Sequence, residues 1–199
     1  AEVRAELGIP DRAELVLGVG RLDPQKGWPD LLDAMATVVV ARPRAHLLIV
    51  GGAQQGDERF VASVKGRATS PDLAGRVTFA GVRTDVPVLM ASCDVFAMAS
   101  RWEGFGLVFA EAMAAARPVV ATRVSAVPEV VADGESGILV EPGDVVGLSS
   151  AIVRVLSDRP LSGRMGVAGY RRVRERFGAS RMVDETIAVY RDVLARRAS

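Results

Sequence analysis

The sequence predicts a doubly wound α/β domain, in which a parallel sheet of about six strands has helices on both faces and C-terminal helices follow. Short apolar runs bounded by Gly, Pro or Asp recur along the chain, and they are continuous rather than alternating, as in strands buried on both faces. Segments with helical spacing separate these runs, and such alternation is typical of parallel sheets. Because crossovers between parallel strands are right-handed, we expect a Rossmann-like layer.

The individual elements follow from the same pattern. The predicted strands are 15–20, 46–51, 77–81, 94–99, 118–122 and 137–140. The predicted helices between them are 29–41, 58–69 and 107–115. A further helix begins at or just after Ser125, and residues 1–14 are expected to form a short lead-in helix and loop.

After Pro142 the pattern is helical throughout, so residues 143–199 are predicted to be a helical tail of the same domain. The predicted helices are 145–156, 161–176 and 180–197, and the last of them is long and amphipathic. Asp144 is placed to cap the first of them. Three glycines, Gly163, Gly166 and Gly169, weaken the prediction for the second. At 199 residues, without a repeat or a flexible linker, the chain is expected to form a single domain.

Composition excludes several classes of protein. Hydrophobic residues make up 49% and charged residues 25%, which rules out disorder. One cysteine, Cys93, excludes a disulfide framework, and one histidine, His46, argues against a Ser–His–Asp triad. No apolar run approaches the roughly 18 residues of a membrane span, and the first ten residues do not resemble a signal peptide. The expected location is therefore the cytoplasm.

Charge is unevenly distributed along the chain. Residues 159–199 contain ten arginines and four acidic residues, whereas residues 1–158 contain fifteen basic and twenty acidic residues. A solvated helix face is the favoured explanation for the basic tail. An anionic membrane surface or a nucleic acid is the alternative partner.

The loops after the strands are where open parallel sheets bind ligands. In the loop after the first strand, Arg21 and Lys26 follow Gly20 and precede a helix. Two cations near a helix N-terminus form an anion site that suits a diphosphate. The alternative is that Arg21 pairs with a nearby acid such as Asp23. The loop is neither a Walker loop nor a G-x-G-x-x-G fingerprint.

A second candidate loop follows the fourth strand. Glu103 precedes the sequence Gly-Phe-Gly-Leu at 104–107, where a helix begins and leaves free backbone N–H groups. Such a helix start attracts a phosphate or a sugar oxygen. Glu111 lies eight residues after Glu103, and carboxylates accept hydrogen bonds from the paired hydroxyls of sugars and riboses. For Glu111, an ordinary helix-surface carboxylate is the alternative. The same holds for Glu129, which lies in the first turn of the helix predicted after the fifth strand.

Together these segments resemble the C-terminal domain of retaining GT-B glycosyltransferases, in the large family that contains bacterial sugar transferases, sucrose synthase-like enzymes and mannosyltransferases. The segments are GVGRLDPQKG, VTFAG, SRWEGFGLVFAEAMAAARPVVAT, PEVVADGESGILVEPGD and a terminal helix with Tyr190. The resemblance extends from Glu14 to Leu194 in the family's order. The combination of G-R-L-x(3)-K-G with E-G-F-G-L-x(3)-E is highly specific. Ser125-Ala126 departs from the Gly-Gly that the family often has there.

The resemblance implies a site for a nucleotide-sugar donor. Arg21 and Lys26 would bind the diphosphate, Glu103 would contact sugar hydroxyls, and these three are the expected catalytic residues. Glu111 would hold the ribose hydroxyls. The other expected donor-binding residues are Gly20, Val82, Arg83, Gly104, Phe105, Gly106 and Leu107, of which Val82 and Arg83 would lie along the base. His46 matches no catalytic position and is expected to be structural.

The implied activity is transfer of a hexosyl group from a nucleoside-diphosphate sugar to an acceptor. The family forms its active site between two domains, and the acceptor domain is not among these 199 residues. We therefore expect an inactive isolated chain that needs that domain in cis or in trans. No metal is expected, because the chain has no D-x-D pair. No nucleic-acid partner is expected, and the full enzyme could contact a membrane peripherally. The alternatives are a non-catalytic nucleotide-sugar-binding subunit and a fragment of a GT-B-type nucleotide-sugar epimerase.

Overall fold

A computed structural model describes residues 2–198, which form a six-stranded parallel sheet with helices around it. The strands are β1 Glu14–Val19, β2 Ala45–Val50, β3 Val77–Gly81, β4 Val95–Met98, β5 Val119–Thr122 and β6 Gly137–Val140. The helices are α1 Glu2–Glu6, α2 Trp28–Ala41, α3 Glu58–Ala68, α4 Val86–Ser92, α5 Leu107–Ala114, α6 Val127–Val130, α7 Val145–Ser157, α8 Arg159–Arg176 and α9 Ala179–Ala198. A short 3-10 turn spans Pro24–Lys26. The predicted Rossmann-like α/β fold is confirmed, and each predicted strand end lies within one residue of the observed end.

The strand order is β3-β2-β1-β4-β5-β6. From β1 to β3 the strands are added on one side of β1, and from β4 onward they are added on its other side, so the strand order reverses between β1 and β4. β1 pairs in parallel with β2 on one side and with β4 on the other. In doubly wound sheets, the loops that leave the two strands at this reversal diverge and open a crevice at the carboxyl edge. The loops after β1 and β4 are the two candidate loops, so the topology brings them together.

The core explains why the strands have continuous apolar sequences. All six residues of β2 and all four of β4 are buried. Phe96 of β4 meets Phe109 of α5 edge to face, with ring centroids 5.8 Å apart. This contact fixes α5 against the centre of the sheet, which aligns the start of α5 with the crevice.

Two of the three α8 glycines allow helix packing rather than interrupting the helix. A Cβ at Gly166 would lie 2.2 Å from the backbone oxygen of Ala116, and one at Gly169 would lie 3.0 Å from the Met113 side chain. Both contacts are with α5 or the residues that end it, so α8 packs closely on α5. α8 is continuous and begins at Arg159, two residues before the predicted start.

Sequence analysis did not predict α4, whose seven residues begin with a Val-Pro pair. α7 is confirmed, and its cap is as predicted, with Asp144 Oδ1 accepting from the Gly147 amide at 2.8 Å. α1 is held by Arg4, whose guanidinium donates to the carbonyls of Ala13 and Ser92, both at 2.8 Å.

α9 is the long amphipathic helix that the sequence predicts, and its side chains from Ala179 to Arg196 are exposed. Its apolar residues include Ile187, which is 40% exposed, and Tyr190, which is 65% exposed. Within residues 2–198, none of the helices combines the length and the apolar character that crossing a membrane requires.

Candidate functional site at the β1–β4 crevice

The loop after β1 is held tightly against the end of β4. Gly27 has a φ of 63°, and a Cβ there would lie 1.9 Å from the carbonyl oxygen of Ala99. Only glycine fits both the left-handed backbone and this approach. The buried indole of Trp28 donates from Nε1 to the carbonyl of Arg21 at 2.7 Å. The backbone that carries Arg21 and Lys26 is therefore fixed at both ends.

Arg21 lies at the exposed side of the crevice, with its side chain 48% exposed. Its guanidinium pairs with Asp23 at 2.9 Å, which is the alternative that the sequence left open. It also donates to Gln54 Oε1 at 2.9 Å and to Gln25 Oε1 at 3.2 Å. Because a guanidinium has five N–H donors, these contacts orient Arg21 without excluding a further anion.

Lys26 and Glu103 form a largely buried ion pair that joins the two candidate loops. Lys26 Nζ donates to both Glu103 oxygens, at 2.8 and 2.9 Å, and the two side chains are 13% and 5% exposed. The Lys26 side chain lies over Gly20, where an added Cβ would be 3.3 Å from its carbons. The structure thus brings together three of the predicted site residues.

A chain of hydrogen bonds runs from Thr122 through Ser100 to the Glu103 carboxylate. The fully buried Ser100 donates from Oγ to Glu103 Oε1 at 2.7 Å. Thr122, at the end of β5, donates from Oγ1 to the Ser100 carbonyl at 2.5 Å. The Glu103 amide donates to Ser125 Oγ at 3.4 Å, and Ser125 has a φ of 45°, unusual outside glycine. Side chains after β1, β4 and β5 therefore meet at Glu103.

Gln25 is a second link between the loops. Its carbonyl accepts from the Arg101 amide at 2.7 Å, and its Nε2 donates to the Trp102 carbonyl at 3.1 Å. The Trp102 indole is 57% exposed. Gln25 thus holds the segment that leads into Glu103 through the backbone groups of Arg101 and Trp102.

α5 begins where the sequence predicts, at Leu107, after Gly106 with a φ of 76°. No side chain of the described residues caps this helix start. The Phe109 amide donates to the Gly106 carbonyl at 3.0 Å, and the amides that precede it at the helix start can receive an anion. Phe105 stacks edge to face on Phe177, with centroids 5.4 Å apart. Glu111 is exposed one turn into α5.

Arg83 is already engaged elsewhere. Its guanidinium pairs with Glu6 of α1 at 2.6 Å and with Asp85 at 2.7 Å. These contacts hold the pKa values of both carboxyls below their ordinary range, chiefly through the hydrogen bonds from Arg83. Val82 is 78% exposed above Gly52. The placement of Val82 and Arg83 along a base remains a prediction.

His46 is structural in its surroundings. It is 5% exposed in β2, and its Nε2 lies 2.8 Å from Thr78 Oγ1. Burial, and then the charges of Arg76 and Arg4, lower its pKa. Throughout residues 2–198 the structure contains no group of three His, Cys, Asp or Glu side chains able to hold a metal ion.

Sequence analysis missed four residues that organise the site: Gln25, Trp28, Gln54 and Ser100. Gln25, Trp28 and Ser100 lie in the two loops that the sequence analysis singled out, and their polar side-chain groups were the signal that could have identified them. Gln54 follows β2, a loop that carried no recognised motif.

Known proteins resemble this chain over most of its length. Residues 13–158 match the glycosyl transferases group 1 family, which is most of the chain. The chain belongs to the glycosyl transferases group 1 family. It is 31% identical over 195 residues to the lipopolysaccharide core biosynthesis mannosyltransferase LpsB of Rhizobium meliloti, covering 97% of this chain and 56% of LpsB.

Solved structures of the family have the same fold. The crystal structure of Anabaena HepE in complex with UDP-glucose matches with a TM-score of 0.87 and 31% identity, covering 94% of this chain and 52% of HepE. The C-terminal domain of the group 1 protein LpcC from Francisella tularensis matches with a TM-score of 0.80 and 26% identity, covering 89% of this chain and 92% of that domain. The expected resemblance to the C-terminal domain of GT-B glycosyltransferases is confirmed. The chain spans about half the length of the full-length relatives LpsB and HepE.

Proposed function

We propose that this chain is the donor-binding domain of a retaining hexosyltransferase that uses a nucleoside-diphosphate sugar. The observation that carries the proposal is the meeting of the loops after β1 and β4, where Lys26, five residues after Arg21, pairs with Glu103 four residues before the start of α5. Two cations and a helix N-terminus suit a diphosphate. The complex of the related HepE with UDP-glucose supports the same ligand class for this chain.

Each site residue then has a role that follows from its chemistry. Arg21 and Lys26 bind the diphosphate and stabilise the charge that develops on it as the sugar leaves. Glu103 accepts hydrogen bonds from sugar hydroxyls, and the 104–107 backbone donates to the distal phosphate. Glu111, exposed on α5, accepts from the ribose hydroxyls.

The reaction needs more than this chain supplies. The acceptor and the opposite wall of the active site belong to an N-terminal domain, so the isolated chain binds the donor without transferring its sugar. The transfer needs no metal, since cations and helix N–H groups already face the diphosphate. For the full enzyme we propose a location in the cytoplasm.

Thermal shift with a panel of ligands tests the proposal. UDP, GDP, ADP and their glucose and mannose derivatives are each added to the full chain, together with uridine and inorganic phosphate. At least one nucleoside diphosphate should raise the unfolding temperature, because a ligand that binds only the folded state stabilises it by mass action. No shift with any nucleotide, confirmed by calorimetry, would remove the donor-binding function.

A further inference from the structure

The two cations of the crevice differ in how strongly other groups already engage them. The Arg21 side chain is 48% exposed, although that of its partner Asp23 is only 10% exposed, and Arg21 also donates to two glutamine side chains. Lys26 is largely buried, and a carboxylate that is itself 5% exposed occupies two of its three N–H donors. One N–H donor of Lys26 lies outside this pair, so a ligand phosphate that engages more than one donor of Lys26 competes with Glu103.

Glu103 has little spare hydrogen-bonding capacity while it is paired with Lys26. A carboxylate offers about four lone-pair positions. Lys26 fills two of them, and Ser100 Oγ fills a third at 2.7 Å. About one position is left for a ligand hydroxyl unless Lys26 moves away.

Removing Lys26 from Glu103 is costly unless something replaces it. The carboxylate is buried, and a buried charge that loses its partner is strongly disfavoured. A phosphate at Lys26 also brings negative charge close to Glu103, which disfavours both anions. Sugar hydroxyls can supply the missing donors to Glu103, whereas a nucleoside diphosphate without a sugar supplies none.

We propose that Glu103 competes with the bound diphosphate for Lys26, so that the crevice discriminates between the nucleotide sugar and the free nucleoside diphosphate. This inference rests on the proposed donor-binding function and adds a role in product release. With the donor bound, Lys26 turns to the diphosphate and the sugar hydroxyls satisfy Glu103. Once the sugar has left, Glu103 competes for Lys26 again and weakens, without abolishing, the contact between Lys26 and the remaining diphosphate.

Calorimetry of the full chain with UDP and UDP-glucose tests the competition, with GDP and GDP-mannose as the second pair. Glu103→Gln removes the competing charge but keeps the side-chain shape. It should tighten UDP and leave UDP-glucose unchanged or weaker. The ratio of the UDP Kd to the UDP-glucose Kd should fall by about tenfold, which is 1.4 kcal/mol.

Two further variants separate competition from a structural role. Glu135→Gln makes the same change of charge on an exposed turn after α6 and should leave the ratio unchanged. Ser100→Ala removes one donor from Glu103, so Glu103 holds Lys26 more strongly and the ratio should rise by roughly threefold. Thermal unfolding of each variant confirms that it is folded.

The outcomes distinguish this inference from the proposed function. If Glu103→Gln weakens UDP and UDP-glucose equally, Glu103 only positions Lys26 and the competition is refuted. An unchanged ratio refutes it as well, and so does a fall of the ratio in Ser100→Ala. If the wild-type chain binds neither member of either pair, the donor-binding function itself fails and this inference fails with it.

Discussion

The close packing of α8 on α5 can be tested with two glycines of the same helix. Gly166 is buried, and a Cβ there would lie 2.2 Å from the Ala116 carbonyl oxygen. Gly163 is exposed, three residues earlier, and a Cβ there meets nothing within 4 Å. Gly166→Ala and Gly163→Ala therefore make the same chemical change in two different environments.

The magnitude follows from comparing the two variants. Replacing glycine by alanine in a helix interior stabilises the helix by about 0.5–1 kcal/mol, and this gain applies to both. Only Gly166→Ala also forces an atom against backbone that no side-chain rotation can relieve. Overpacking of this kind costs about 1–3 kcal/mol. The helix gain cancels in the comparison, so Gly166→Ala should be about 1–3 kcal/mol less stable than Gly163→Ala.

Urea unfolding followed by circular dichroism measures the two free energies of unfolding and their m-values. Gly163→Ala should equal or exceed the wild type, and Gly166→Ala should fall below Gly163→Ala with an unchanged m-value. Residues 104–107 lead into α5, and α8 packs on α5. Gly166→Ala should therefore also weaken the binding of UDP-glucose, whereas Gly163→Ala should not. Equal stability of the two variants would refute the packing of α8 on α5.

Three other results are expected. The full chain should bind UDP-glucose yet release no UDP from it when acceptors are added. Glucosyl transfer at a normal rate would contradict the proposal that an N-terminal domain is required. The Kd for UDP should change by less than about tenfold on chelation, and a larger loss would imply a metal. Because burial lowers the pKa of His46 from 6.5, the unfolded chain binds a proton that the folded chain does not. The free energy of unfolding should therefore fall as the pH drops below about 6.5. Urea unfolding at a series of pH values measures this fall, and if the His46→Gln variant keeps the full pH dependence, His46 is not its cause.

The sheet could be predicted from the sequence because its signals are local. Each strand is a short apolar run, and the four central strands β2, β1, β4 and β5 are buried as such runs predict. The edge strand β3 is only partly buried, so the expectation of burial on both faces fails there. The α8 glycines weakened a helix prediction that the structure confirms, because the role of Gly166 and Gly169 is in tertiary packing. Gly166 and Gly169 fit against α5, and no sequence window of α8 contains that partner.

The site residues were predicted as types, but their pairing was not. Arg21 and Asp23 are two residues apart, so their contact could be weighed from the sequence. Lys26 and Glu103 are 77 residues apart and meet only because β1 lies beside β4. The strand order was not part of the prediction, so the competition between Glu103 and a phosphate could not be inferred without the structure.

The sequence pattern of α9 does not indicate what this helix does. Its amphipathic spacing was recognised, and its apolar side chains are exposed in the structure. A pattern of period 3.6 shows that a helix has an apolar face, and it does not identify what covers that face.

Lys26→Ala tests the central claim most directly, that the β1–β4 crevice binds the diphosphate of a nucleotide. Calorimetry compares UDP with uridine in the wild type, in Lys26→Ala and in the control Lys65→Ala, which removes an exposed lysine of α3. A charge-assisted hydrogen bond contributes about 1.5–3 kcal/mol, so Lys26→Ala should weaken UDP by roughly 10- to 150-fold. Uridine should be nearly unaffected, and Lys65→Ala should change neither ligand. Equal losses for UDP and uridine in Lys26→Ala would contradict the claim.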